Sequence, residues 1–140
     1  MKMREILFRG QIRKKGEKVT IGGEPVAGKW IYGGIFAPNI QCDRCIITSY
    51  DYLQKYPVYA DTVGQYTGLT DKNGVKIFEG DIIKGKAKET FIVVYENRIA
   101  GFMAYREHAR ITPCMNYGTM QCYEVIGNIY DNPSLMEDSQ

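Results

Sequence analysis

No run of apolar residues in this chain approaches the ~18 that would mark a membrane-spanning helix. The start, Met1-Lys2-Met3-Arg4-Glu5, is charged, and the apolar run behind it, Ile6-Leu7-Phe8, is far shorter than the core of a secretory signal. These absences place the expectation in a cytoplasm, with reduced cysteines and no membrane partner. A strong charge of one sign is missing as well. Lys and Arg number 18 against 16 Asp and Glu, giving +2 and a pI near 8.3, too mild to announce nucleic-acid binding by itself. Histidine is nearly absent. The single His108 stands among Arg106, Glu107 and Arg110, and no motif pairs it with a serine or cysteine, so no nucleophilic constellation can be read. There is no phosphate loop and no dinucleotide fingerprint, because Gly22-Gly23 and Gly33-Gly34 lack the spacing. A second CxxC is also lacking. Cys42-Asp43-Arg44-Cys45 can offer two thiolates, but seven residues separate Cys114 from Cys122, so four zinc ligands are not spelled out and free thiols are the simpler reading. A thioredoxin-like role would need a βαβ setting that is not there.

What remains is a chain of 140 residues, 44% hydrophobic and 24% charged, the proportions of an ordinary globular protein. Fifteen Gly and eleven Tyr favour turns and half-buried strands over long helices. Arg4 to Arg9 reads as a first strand stopped by Gly10. Residues 11–29 read as a basic, glycine-rich, hairpin-like arm, with Val19-Thr20-Ile21 as its only short strand. Trp30-Ile31-Tyr32 opens another strand, which Gly33-Gly34 breaks or bulges before Ile35-Phe36. Cys45 to Thr48 can be a strand, and Ser49 can cap a helical turn over Asp51 to Lys55 that Pro57 stops. Strands follow at Val63 to Leu69, Lys76 to Phe78, Ile82 to Lys84, Thr90 to Tyr95, Ile99 to Tyr105 and Glu124 to Tyr130. Asn73-Gly74 is a turn signal, because both residues accept positive φ. Asn132-Pro133 reads as the start of a single helical turn. Short strands every 8–12 residues predict a mainly β fold, a small barrel or sandwich, with at most short helical turns. The expected organisation is an N-terminal β-rich segment over 1–61, including the arm, and a C-terminal barrel over 62–140.

Three groups of residues merit weighing as sites. Asp71, Glu79 and Asp81 can bring carboxylates together, but each sits in a turn signal, and Asp71-Lys72-Asn73-Gly74 fails the calcium-loop pattern at its sixth and twelfth positions. Tyr50, Tyr52, Tyr56, Tyr59 and Tyr66 crowd one stretch. Tyrosine buries a ring while its hydroxyl stays wet, so this cluster is the candidate contact surface, with barrel core and base stacking as the other readings. Charge is segregated: +5 over residues 1–30, −2 over 31–83, +3 over 84–110 and −4 over 111–140. Arg13, Lys14 and Lys15 in the first basic segment and Lys84, Lys86 and Lys88 in the second are the candidate phosphate contacts if the ligand is nucleic acid.

Several segments resemble a known family. They are Arg4 to Gly10, Trp30 to Gly33, Thr62 to Gly74, Ile77 to Ile83 and Val125 to Pro133. In order, these resemble the YopX family of small phage and prophage proteins. The resemblance implies a mainly β protein with a small SH3-like barrel in its C-terminal part, a bacterial cytoplasm and self-association. It implies no activity and no catalytic residues. The long basic arm and the four cysteines depart from the family pattern. The motif residues read as structural: Gly64, Gly68, Gly74 and Gly80 at tight turns, and Ile77, Phe78, Ile82, Ile83, Val125, Ile126 and Ile129 in a core. The expected function is therefore a non-enzymatic accessory protein, without catalytic residues, metal or cofactor, which self-associates and binds a host or phage protein. The alternative is a nucleic-acid-binding module that uses residues 1–30 and 84–110.

Overall fold

The computed structural model describes residues 3–16, 28–36, 43–49 and 54–137. The chain is mainly β, with antiparallel pairing throughout, and divides into two compact units at Gln65 and Tyr66.

The N-terminal unit is built from β1 (Phe8–Arg13), β2 (Lys29–Phe36), β3 (Arg44–Ser49) and β4 (Lys55–Tyr59), laid out in the order β4-β3-β2-β1. The first residues of β5 (Gly64–Thr70) lie beside β1, with Gly64 opposite Arg9 and Gln65 opposite Phe8. Cys45, Ile47 and Val58 form its buried core, with Ile12, Ile31 and Ile35 packed against them. The two ends of the order approach each other: a methyl group on Gly10 would stand 2.7 Å from Val58 Cγ2. Close approach, and not a chain stop, explains Gly10, because β1 runs straight through it. Gly33 behaves in the same way. The expected break or bulge is absent, β2 is continuous, and a Cβ on Gly33 would lie 1.9 Å from the Thr48 carbonyl oxygen. The irregularity falls instead between Gln11 and Arg13 on β1. The buried Gln11 amide donates to Thr62 Oγ1 at 2.8 Å, and that hydroxyl donates to the Tyr59 carbonyl at 2.7 Å. Pro57 sits inside β4, at the end of the strand order, where its missing N–H leaves no gap in a central ladder. Lys55, expected in a helical turn, is therefore in a strand. The rest of that expected turn, Asp51 to Leu53, lies outside the described residues, as do Val19-Thr20-Ile21.

The C-terminal unit contains the rest of β5, then β6 (Lys76–Phe78), β7 (Asp81–Lys84), β8 (Thr90–Glu96), β9 (Gly101–Tyr105) and β10 (Glu124–Asn128). Two one-turn helices complete it, α1 (Tyr117–Met120) and α2 (Ser134–Glu137). The α2 turn follows Asn132-Pro133 as the sequence predicts; α1 carries no such signal beyond Asn116, whose side chain accepts from the Thr119 amide at 2.8 Å. Four strands pair in the order β10-β7-β8-β9, over a core of Ile77, Ile83, Phe91, Val93, Ala104 and Met120. No ladder joins β9 to β10 among the described residues, so backbone pairing does not close the expected SH3-like barrel.

Asp71 and Asp81 in this unit are structural. Asp71 is 1% exposed and accepts three backbone N–H groups, from Asn73 (2.8 Å) and Val75 (2.9 Å) in its own turn and from Val125 (2.9 Å) on β10. Asp81 accepts from the Phe78 amide at 2.7 Å, closing the Glu79-Gly80 turn. Gly80, at φ +94°, lies under the Tyr130 ring, while the Ile129 amide donates to the Gly80 carbonyl at 3.0 Å. Asn128 binds the amides of Tyr130 (3.0 Å) and Asp131 (2.9 Å) and so fixes the last turn. The segments that resemble a family are thus held together by short polar side chains on backbone amides.

Candidate functional site

The N-terminal unit holds part of the tyrosine cluster and the first basic segment. Tyr50 and Tyr52 lie outside the described residues. Tyr56 is half-buried, and its hydroxyl donates to the Gln54 side chain. Tyr59 is half-buried beneath two cations: the Arg44 guanidinium is 3.6 Å and the Lys14 ammonium 4.6 Å from its ring centroid. Lys14 also forms an ion pair with Asp61 at 2.9 Å. Arg13 and Lys15 are exposed. Tyr66 belongs to the C-terminal unit. It is 8% exposed, and its ring packs 5.6 Å from Phe78. That ring serves packing rather than an exposed surface.

The C-terminal unit carries a concave feature. A cavity of about 410 Å³ is lined by Ala87, Lys88, Glu89 and Phe91 from one side and Arg106, Ala109, Arg110 and Ile111 from the other. Its walls are two tight turns. In the β7–β8 turn the Gly85 amide donates to the Glu89 carbonyl (2.9 Å) and the Lys88 amide to the Gly85 carbonyl (3.0 Å). In the turn after β9 the Ala109 amide donates to the Arg106 carbonyl (3.2 Å). Each turn places a side-chain-bearing residue in the left-handed region, Lys88 at φ +66° and His108 at φ +64°. Such positions cost roughly 1–2 kcal/mol outside glycine and concentrate at functional sites.

The charges of the cavity are not neutralised from within. Lys72 pairs with Glu124, and Arg98 with Glu96, whose carboxyl the Arg98 backbone and side-chain hydrogen bonds hold below its usual range. Among the described residues no ion pair engages Lys88, Arg106 or Arg110. Like charges gathered around one concavity raise the local potential and attract anions. The only acid in the lining is Glu89. A Cβ on Gly85 would stand 2.1 Å from its Oε1, so the carboxylate occupies the space a side chain would take there. Tyr123 donates its hydroxyl to Oε1 at 3.1 Å, and Oε2 is buried with no hydrogen-bond partner among the described residues. Burial and the adjacent Glu89 carboxylate push the Tyr123 hydroxyl up to about 12. The lining therefore offers positive charge and an apolar face from Phe91 and Ile111, with the Glu89 carboxylate turned inwards.

Of the sequence-derived cations, Lys88 lines the cavity, Lys86 is exposed on the same turn, and Lys84 is half-buried on β7. Arg106 and Arg110 were not among the candidate phosphate contacts. They stand 18 and 22 positions beyond Lys88 in the sequence. The β8–β9 pairing brings them back: Ile92 opposes Tyr105 and Glu96 opposes Gly101, so the turn before β8 and the turn after β9 lie at the same end of the ladder. Among the described residues no group of three or more His, Cys, Asp or Glu can hold a metal ion. Cys45 is a free thiol in the N-terminal core, Cys114 and Cys122 are exposed free thiols, and Cys42 lies outside the described residues. No helix among the described residues is long and apolar enough to cross a membrane.

The YopX protein family model matches residues 26–137. The chain belongs to the YopX family. A solved structure, protein EF1440 from Enterococcus faecalis, is similar in fold, with a TM-score of 0.52 and 22% identity. The similarity covers 96% of this chain and 99% of that one. No curated protein matches the chain. Family membership assigns no activity to the chain, and the cavity is read on its own chemistry.

Proposed function

We propose that this YopX-family protein is a non-enzymatic accessory module of phage or prophage that binds nucleic acid through the C-terminal cavity, in the cytoplasm of a bacterial host. The observation that carries this reading is the convergence of Lys88, Arg106 and Arg110 on one concavity without an ion-pair partner among the described residues. Cations gathered at one concavity supply most of the affinity for phosphates. The lining favours binding over catalysis, because it presents charge and apolar surface and no serine, cysteine or histidine. An SH3-like character for the C-terminal unit belongs to the same proposal, supported by its short antiparallel strands and tight turns. The test is fluorescence anisotropy of a labelled single-stranded oligonucleotide at low salt. Binding is expected, falling as salt rises, and lost when Lys88, Arg106 and Arg110 are all replaced by alanine. Absence of binding at low salt contradicts the proposal.

A second reading, self-association with docking of a host or phage protein, rests on Tyr59. A ring flanked by Arg44 and Lys14 and next to Asp61 has the mixed aromatic and charged character of interface anchors. Light scattering over a concentration series tests it. A species heavier than one chain that Tyr59→Ser disperses would support it, and a monomer at all concentrations would remove it.

A further inference from the structure

We infer that the cavity receives a chain-terminal nucleotide, its phosphomonoester held by Lys88, Arg106 and Arg110, rather than a phosphodiester inside a strand. This rests on the reading of the same cavity as the nucleic-acid site. Three features of the lining point to an end group. The first is charge. Three cations against the single carboxylate of Glu89 leave the lining at +2. A phosphomonoester carries close to −2 near neutral pH, with a second pKa near 6, whereas each internal phosphate carries one negative charge. The second is shape. The concavity between the two turns, about 410 Å³ and open to solvent, is within the range of small-molecule sites and has room for one nucleotide, where a strand passing through would call for cations spaced along a track. The third is the division of chemistry. Positive charge comes from Lys88, Arg106 and Arg110, while Phe91 and Ile111 offer apolar surface to the flat ring of a base. The two left-handed turns fix where these groups stand.

The same phosphomonoester chemistry can come from a strand end or from a free nucleoside monophosphate, and the experiment separates them. One oligonucleotide sequence is prepared with a 5′-phosphate, with a 3′-phosphate and with hydroxyl ends, and each is titrated into the full chain by anisotropy. A free nucleoside monophosphate and a phosphopeptide are titrated by calorimetry. One phosphorylated end is expected to bind about tenfold tighter than the hydroxyl-ended strand, the size of one or two charge-assisted hydrogen bonds. Arg106→Ala is expected to bring that ratio to about one, Arg106→Lys to retain part of it, and Lys86→Ala, outside the lining, to leave it unchanged. A thermal melt of each variant confirms that it is folded. Equal binding of all three strands overturns the end-group inference and leaves the nucleic-acid reading intact. Binding of the free monophosphate alone, or of the phosphopeptide alone, overturns both.

Discussion

The acidic turn at Asp71 and the basic turns around the cavity use charge in opposite ways. Asp71 is buried, and backbone amides of its own turn and of β10 surround its carboxylate. Lys88, Arg106 and Arg110 stand on turns of the same unit and are engaged by no ion pair among the described residues. A charge saturated by local donors stabilises a backbone geometry and has nothing left for a ligand. Unpaired charges around a concavity repel one another and gain when an anion arrives. The contrast separates the part of this protein that specifies the fold from the part that can act.

Substitution at Asp71 is the strongest way to break the comparison. Asp71→Ala removes the acceptor of three part-buried N–H groups, each bond worth about 1 kcal/mol, so a loss of about 3 kcal/mol is expected in urea unfolding of the full chain. A loss under about 1 kcal/mol would mean that the carboxylate is not holding the turn against β10. A smaller effect is expected at Gly80, where φ is +94° and a Cβ would meet the Tyr130 ring at 3.0 Å. Gly80→Ala is expected to cost about 1–2 kcal/mol, read in the same assay. Lys88 should show the reverse sign. Lys88→Gly relieves a left-handed lysine and is expected to raise stability by about 0.5–1 kcal/mol while weakening oligonucleotide binding. A fall in stability would show that the Lys88 side chain is structural, like Asp71.

The smallest effect concerns pH. The Tyr123 hydroxyl is raised to about 12, so the folded protein favours the neutral phenol. That contribution is fully present below the ordinary tyrosine value near 10 and is lost as pH rises from 10 through 12. Wild type is therefore expected to lose more stability than Tyr123→Phe across that window. Parallel curves would contradict the role of Glu89 and burial in holding the phenol neutral.

The fold was legible where local signals were strong. Asn73-Gly74, the β-branched run at Thr90 to Tyr95 and Asn132-Pro133 each mark the element that forms. Gly10 and Gly33 were misread, because the sequence does not distinguish a glycine that ends a strand from one that a neighbouring strand presses against. The Val58 side chain reaches Gly10, and the Thr48 backbone passes Gly33. Asp71 and Asp81 were legible as turn residues. That Asp71 also holds β10 was not, since Val125 is 54 positions away. The site was half legible. Lys88, Arg106 and Arg110 all lie in the basic segment 84–110, but only Lys88 was singled out, because the two arginines reach it through strand pairing, a long-range property. The left-handed turn at Lys88 gave no sign in the sequence, because lysine is not a residue type chosen for positive φ.

The central claim, that Lys88, Arg106 and Arg110 form a phosphate site rather than a structural one, is tested most directly by the salt dependence of oligonucleotide affinity. Each phosphate contact on a single strand contributes a slope of about −0.7 in log K against log salt. Replacing the three cations by alanine is expected to make the slope shallower by about 2, in a protein that stays folded. A triple variant that binds with the wild-type slope would contradict the account.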